Sequence, residues 1–130
     1  MSNSNLVINA LKHMLESDDV NISTIEKFFS KDYFQIANGN EISFNDFVSH
    51  VNLLKKSLTN VHVTILSVAE NDGNVHTHHL VKANKKEDGS IIEFEVFSRF
   101  LVSENKIKCC YELTRKITGN ADDDDLGSRV

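Results

Sequence analysis

No run of this 130-residue chain is apolar for long enough to span a bilayer, which takes about 20 consecutive apolar residues in a helix. Membrane partners are therefore not expected. Positive charge is in deficit as well: 14 Lys and Arg face 19 Asp and Glu, for a net charge of −5. The pairs Lys55-Lys56 and Lys85-Lys86 stand apart from each other. Phosphate recognition needs a basic surface, so nucleic acid is not an expected partner either. Cysteine is limited to Cys109 and Cys110, adjacent in a stretch that reads as strand. Neighbouring strand side chains point to opposite faces, which disfavours a mutual disulfide. A Cys-x-x-Cys redox or zinc spacing is missing, as are a Gly-rich phosphate loop and a Gly-x-Ser-x-Gly nucleophile motif. The opening Met1-Ser-Asn-Ser-Asn lacks the basic and apolar regions of a signal peptide. A cytoplasmic protein with reduced thiols, bacterial by default, is the expectation. The run Asp122 to Asp125 lacks the alternating ligands, central Gly and closing Glu of a calcium loop. It reads as a solvated, flexible acidic tail over 120–130.

What is present suits one domain over residues 1–119. A hydrophobic fraction of 40% and a charged fraction of 25% are those of a globular protein, and the length allows a single core. Leu6, Ile8, Leu11, Met14 and Leu15 predict an amphipathic helix capped by Asn3, Ser4 or Asn5. A break at Ser17-Asp18-Asp19 precedes a shorter helix, with Ser23 and Glu26 as a capping box and Ile25, Phe28 and Phe29 turned inward. A brief strand, 33–37, ends in the turn Asn38-Gly39-Asn40. Ser43 then suits the start of a helix carrying Phe44, Phe47, Val48, Val51, Leu54 and Leu58 on one face.

Beyond residue 60 the period changes. Strands are predicted at about 61–70, 75–86, 90–102 and 106–117, separated by the hairpin signals Asn71-Asp72-Gly73-Asn74, Glu87-Asp88-Gly89 and Ser103-Glu104-Asn105. Helices followed by a strand meander form an α+β pattern. Between 91 and 102, Ile92, Phe94, Val96, Phe100 and Val102 alternate with Ile91, Phe97 and Leu101, so both faces are apolar. Helices can cover only one of them. The other is expected to meet a second copy in a homodimer.

This order of elements, together with Phe97-Ser-Arg-Phe-Leu-Val-Ser-Glu-Asn-Lys-Ile-Lys and the closing Tyr111-Glu-Leu-Thr-Arg, Gly119 and acidic stretch, resembles the SnoaL-like branch of the nuclear-transport-factor-2-like family. The resemblance covers residues 5–117. It implies a cone: about three N-terminal helices packed on a curved, mainly antiparallel sheet that encloses a pocket. It also implies a range of functions, from polyketide cyclases, ketosteroid isomerase and dehydratases to proteins that only bind or assemble, among which the fold does not choose. Ketosteroid isomerase uses an Asp base and an oxyanion hole of Tyr and protonated Asp. On alignment those positions fall at Ala37 or Asn38 for the base, Ala10 or Leu11 for the Tyr, and Ser98 for the acid. All three groups are lost, so that route is not expected here.

With Ser98 facing the pocket, alternation sets Phe94, Val96 and Phe100 beside it and turns Cys110, Glu112 and Thr114 inward on the last strand. Glu112 is then a carboxylate in an apolar cavity, where desolvation raises its pKa and suits it to general acid or base work. The alternative is a rim carboxylate paired with Arg99, Arg115 or Lys108. In His76-Thr-His-His79, His76 and His78 share one face, and His62 could add a third nitrogen for a metal; the competing reading is solvent- or interface-facing histidines. His79 shares the other face with Val75, Thr77 and Val81, as a proton-transfer partner of Glu112 or a hydrogen-bonded core residue. Tyr33, Asn38 and His50 lie where the mouth could close. Tyr33 could donate to a ligand carbonyl or simply pack, Asn38 could contact ligand or serve its turn, and His50 could be an ordinary surface residue. The expected ligand is a small apolar molecule, bound for isomerisation, cyclisation or dehydration without metal or organic cofactor. A non-catalytic dimeric module binding ligand or protein is the rival, so enzymatic activity stays open.

Overall fold

Local chemistry at the helix starts fixes where the secondary structure begins. The computed structural model describes residues 2–18, 20–127 and 129; Asp19 of the expected helix break, and Ser128 and Val130 of the expected tail, lie outside that set. Helix α1 (Asn3–Glu16) is capped by Ser2, whose hydroxyl accepts the Asn5 backbone N–H at 3.1 Å. The cap thus lies one residue before the expected trio. Helix α2 (Ile22–Phe28) is capped by Asn21, which accepts the Thr24 N–H and the Ser23 hydroxyl, each at 3.0 Å. Ser23 therefore stands inside the first turn, a correction that follows from Asn being at least as good a cap two residues earlier. Ser43 caps α3 (Phe44–Ser57), as its sequence predicts, accepting the Asp46 N–H at 3.3 Å.

Strand β1 (Phe29–Ala37) begins directly after α2, so Phe29 packs inward from a strand and not from a helix. A hairpin through Asn38 (φ 52°) and Gly39 (φ 82°) leads to β2 (Asn40–Ile42). After α3 come β3 (Leu58–Asn71), β4 (Asn74–Lys85), β5 (Ile91–Ser103) and β6 (Lys106–Thr118), close to the predicted strands. Asp72-Gly73 and Glu104-Asn105 close two of the hairpins with both residues at positive φ, the geometry whose twist matches that of the strands. Gly73 is needed twice over: its φ is +78°, and a Cβ there would stand 3.0 Å from the Val102 carbonyl oxygen.

The six strands form one unclosed sheet in the order β2-β1-β6-β5-β4-β3. All neighbours are antiparallel except β1 and β6, which run parallel. Register shifts at Leu101/Val102, Glu93/Phe94 and Ile65/Ser67 are bulges of the kind that bend a sheet. The α+β, mainly antiparallel cone with three helices on the sheet is the architecture expected. No helix among the described residues is long and apolar enough to cross a membrane.

The core has two parts. Val7, Ala10 and Met14 of α1 pack with Ile25, Phe29, Tyr33, Phe47 and Val51 at one end. The buried line of α1 is thus Val7–Ala10–Met14, rotated from the expected stripe, with Leu6 and Leu11 only partly buried. Leu58, Ala83, Ile92, Phe94, Val96 and Leu126 form the second part. On the opposite face of the sheet Phe97 and Leu113, paired in register, stay 52% and 66% exposed.

Candidate functional site

Between the two parts of the core lies a cavity of about 140 Å³, lined by members of both. Strand alternation determines what it presents. From β5 come Phe94, Val96 and Phe100; from β6, Cys110, Glu112 and Thr114; from β4, His79; from β1, Tyr33 and Gln35. These sets share faces because every second residue does. The sequence-predicted residues Tyr33, Phe94, Val96, Phe100, Cys110, Glu112, Thr114 and His79 all line it.

Glu112 is the sole carboxylate among the described lining residues. In register it faces Ser98 on β5 and Ala37 on β1. Burial pushes its carboxyl up to about 7, against a smaller opposing effect of the Ser98 hydroxyl, which donates to Oε2 at 3.3 Å. Among the described residues no ion pair reaches Glu112, and Lys55, the cation of the cavity lining, donates to the Leu15 carbonyl at 3.0 Å. Arg115 donates to Glu95 at 3.0 Å, and Arg99 stacks 4.6 Å over the Tyr111 ring on the outer face. Ser98 therefore stands behind Glu112 and outside the cavity lining.

His79 is 2% exposed, with Nδ1 3.1 Å from the Thr77 hydroxyl. Burial and then the charge of neighbouring His78 hold its pKa down at about 4. Between about pH 4 and pH 7, then, both His79 and Glu112 are neutral. Tyr33 donates its hydroxyl to Gln35 Oε1 at 2.7 Å, and burial followed by the nearby Cys110 and Glu112 keeps its phenol protonated far into the alkaline range. Cys110 is raised well above its ordinary value, first by burial, so it is a thiol and not a nucleophilic thiolate. Cys109 opposes Leu101 on the other face, and both cysteines are free. Asn38 lies outside the lining: it holds the turn, its amide donating to Thr114 Oγ1 at 2.7 Å and its oxygen accepting the Thr114 N–H at 2.8 Å.

His78 and His76 are on the outer face. His78 bonds Glu95 at 2.7 Å and stacks on Phe97 with ring centres 4.1 Å apart, while His62 lies 3.5 Å from Glu16. Among the described residues no three His, Cys, Asp or Glu side chains are grouped to hold a metal.

Two lining residues, Gln35 and Leu126, go beyond the sequence reading, and a third, His50, is decided by the structure. Gln35 is 4% exposed and follows Tyr33 by strand alternation, a signal that was available. His50, which the sequence left open between the cavity mouth and an ordinary surface place, is 7% exposed, with Nδ1 2.6 Å from the Arg129 carbonyl oxygen; burial lowers its pKa. Leu126, inside the acidic stretch, is 5% exposed against the second part of the core. Asp122, Asp124 and Asp125 are exposed as a solvated run would be, but Asp123 is 3% exposed.

No family model matches the chain. An uncharacterised protein of the yeast Schizosaccharomyces pombe is 24% identical over 107 residues, 82% of each chain. IdmH, a candidate polyketide cyclase from Streptomyces antibioticus, superposes with a TM-score of 0.76 over 88% of this chain and 92% of its own, at 10% identity. A candidate SnoaL-like polyketide cyclase from Jannaschia sp. CCS1 gives 0.69 over 88% of both chains, at 9% identity. At such identities what is shared is the shape: the chain has the fold of SnoaL-like and ketosteroid isomerase-like proteins.

Proposed function

We propose that this chain binds a small, uncharged, mainly apolar molecule in the cone and performs acid/base chemistry on it, as an isomerase, cyclase or dehydratase. The observation that carries the reading is Glu112: the one carboxyl among the described residues of a mainly apolar cavity, in no ion pair with them, with a pKa brought to about 7. A group poised near neutrality serves as base in one step and acid in the next. As carboxylate it takes a proton from the carbon beside a ligand carbonyl; as carboxyl it returns that proton at another carbon. Ser98 steadies Oε2, and His79, neutral and tied to Thr77, positions the ligand oxygen. With its pKa near 4, His79 is too weak a base to compete with Glu112. That two solved structures of the same fold are candidate polyketide cyclases supports cyclisation as one of these three reactions.

A non-catalytic binding module is the second reading. It is favoured by the alignment that sets Ala37 or Asn38 in place of the ketosteroid isomerase base and Ser98 in place of its acid. In either case the exposed Phe97, Leu113, Tyr111 and Leu101 on the outer face support a homodimer. A thermal-shift screen of small apolar carbonyl compounds against wild type and Glu112→Gln separates the readings. Acid/base function predicts a compound that stabilises both proteins but is turned over by wild type alone, with the variant losing at least 100-fold. Equal turnover by the variant would remove Glu112 from the chemistry, and stabilising ligands with no turnover by either protein would favour the binding module.

A further inference from the structure

After β6 the chain does not leave the sheet but crosses the second part of the core. At Gly119 (φ +150°) a Cβ would come within 3.1 Å of both the Asp123 carboxylate and the Lys116 side chain, so the departure is tight. The 3-10 turn Ala121–Asp123 follows. Asp123 accepts the Asn120 backbone N–H at 2.9 Å and is ion-paired at 3.2 Å with Lys85, the last residue of β4. That latch sets Leu126 among Ile92, Phe94 and Val96. Gly127 then passes so close to β6 that a Cβ would lie 3.0 Å from the Thr114 methyl carbon. The Arg129 carbonyl meets His50 of α3. The crossing is therefore held at both ends, by β4 on one side and by α3 on the other.

Leu126 and Gly127 are cavity wall. The volume they leave, about 140 Å³, is close to that of an apolar void that takes up a single benzene. Drug-sized ligands occupy sites of roughly 300–1,000 Å³. The cavity is less than half the lower end of that range, and Leu126 stands on its wall. We infer that residues 120–127 and Arg129 form a strap whose Leu126 side chain sets the largest ligand the cavity admits, restricting it to one ring or a short chain. This rests on the cavity being a ligand pocket, and it names the size class of what enters.

Benzene and naphthalene test it, because arenes measure the room without needing Glu112 chemistry. Their affinities for the full chain, its Leu126→Ala variant and its Asp123→Asn variant are compared by titration calorimetry. Asp123→Asn weakens the latch without touching the wall. Wild type is expected to bind benzene and to discriminate at least tenfold against naphthalene. Leu126→Ala should erase that preference, and Asp123→Asn should reduce it. A purely structural role would weaken both arenes together and leave their ratio unchanged, which overturns the strap as selector while the pocket stands. Binding of neither arene by any of the three proteins would overturn the pocket reading and the inference with it.

Discussion

Two titratable side chains on one cavity wall are displaced in opposite directions by the same cause. Burial disfavours charge, so it lifts Glu112 to about 7 and, with a smaller effect from His78, drops His79 to about 4. Each shift is also a statement about stability. Glu112 holds its proton in the fold above the pH at which it would lose it unfolded. Its contribution is full below about pH 4.5 and is lost as pH rises through about 7. His79 is depressed, so its contribution is full above about 6.5 and is lost as pH falls through about 4. Each is worth at most about 3.5 kcal/mol. Urea unfolding of Glu112→Gln should therefore show a flatter decline than wild type between pH 5 and 8, and His79→Asn a flatter one between pH 6.5 and 4. Unfolding curves of the variants that track wild type at every pH would contradict these protonation states. Alternation along two strands made Glu112 and His79 legible in the sequence. The burial of His50 was not, because it depends on a backbone carbonyl 79 residues away.

At the scale of elements, α3 links local chemistry to the cavity. Its single turn-start bond, Ser43 to the Asp46 N–H, fixes where the helix begins and so which way Phe47, His50 and Val51 face. Ser43→Ala should cost about 1 kcal/mol of unfolding free energy, and Ser43→Gly only a few tenths. Equal losses for both would mean that the hydroxyl bond does not carry the cap. This start was legible because Ser43 is followed by a long apolar stripe with no better cap nearby. In α1 and α2 adjacent Asn and Ser residues competed, and the sequence alone could not rank them; the caps moved to Ser2 and Asn21. The four long strands were read to within three residues at each end, because positive-φ pairs such as Asp72-Gly73 punctuate them, whereas β1 starts four residues before its expected place and β2 was not expected. The seating of the strap was illegible: one Leu among aspartates gives no period, and its place depends on Lys85 and Thr114, far away in sequence.

At the scale of the whole molecule, the alternating apolar faces of β5 have unequal fates. One builds the cavity, while the other puts Phe97 beside Leu113, Arg99 beside Tyr111 and Leu101 beside Cys109 in successive rows. These rows lie on inner strands of the sheet, so their backbone is already paired and only side chains are on offer. A second copy related by a two-fold axis would cover the patch with the same patch, as a self-complementary interface requires. The proposed dimer therefore predicts that Phe97→Asp/Leu113→Asp, which sets two carboxylates per chain into the contact, sediments as a monomer at concentrations where wild type is dimeric. Because this face lies across the sheet from the cavity, benzene affinity should change less than threefold in that variant. Wild type sedimenting as a monomer up to about 100 μM, where even a weak association of this kind would appear, would leave the outer face without its proposed partner. Loss of arene binding together with dimerisation would instead mean that the cone holds its shape only when a second sheet supports it.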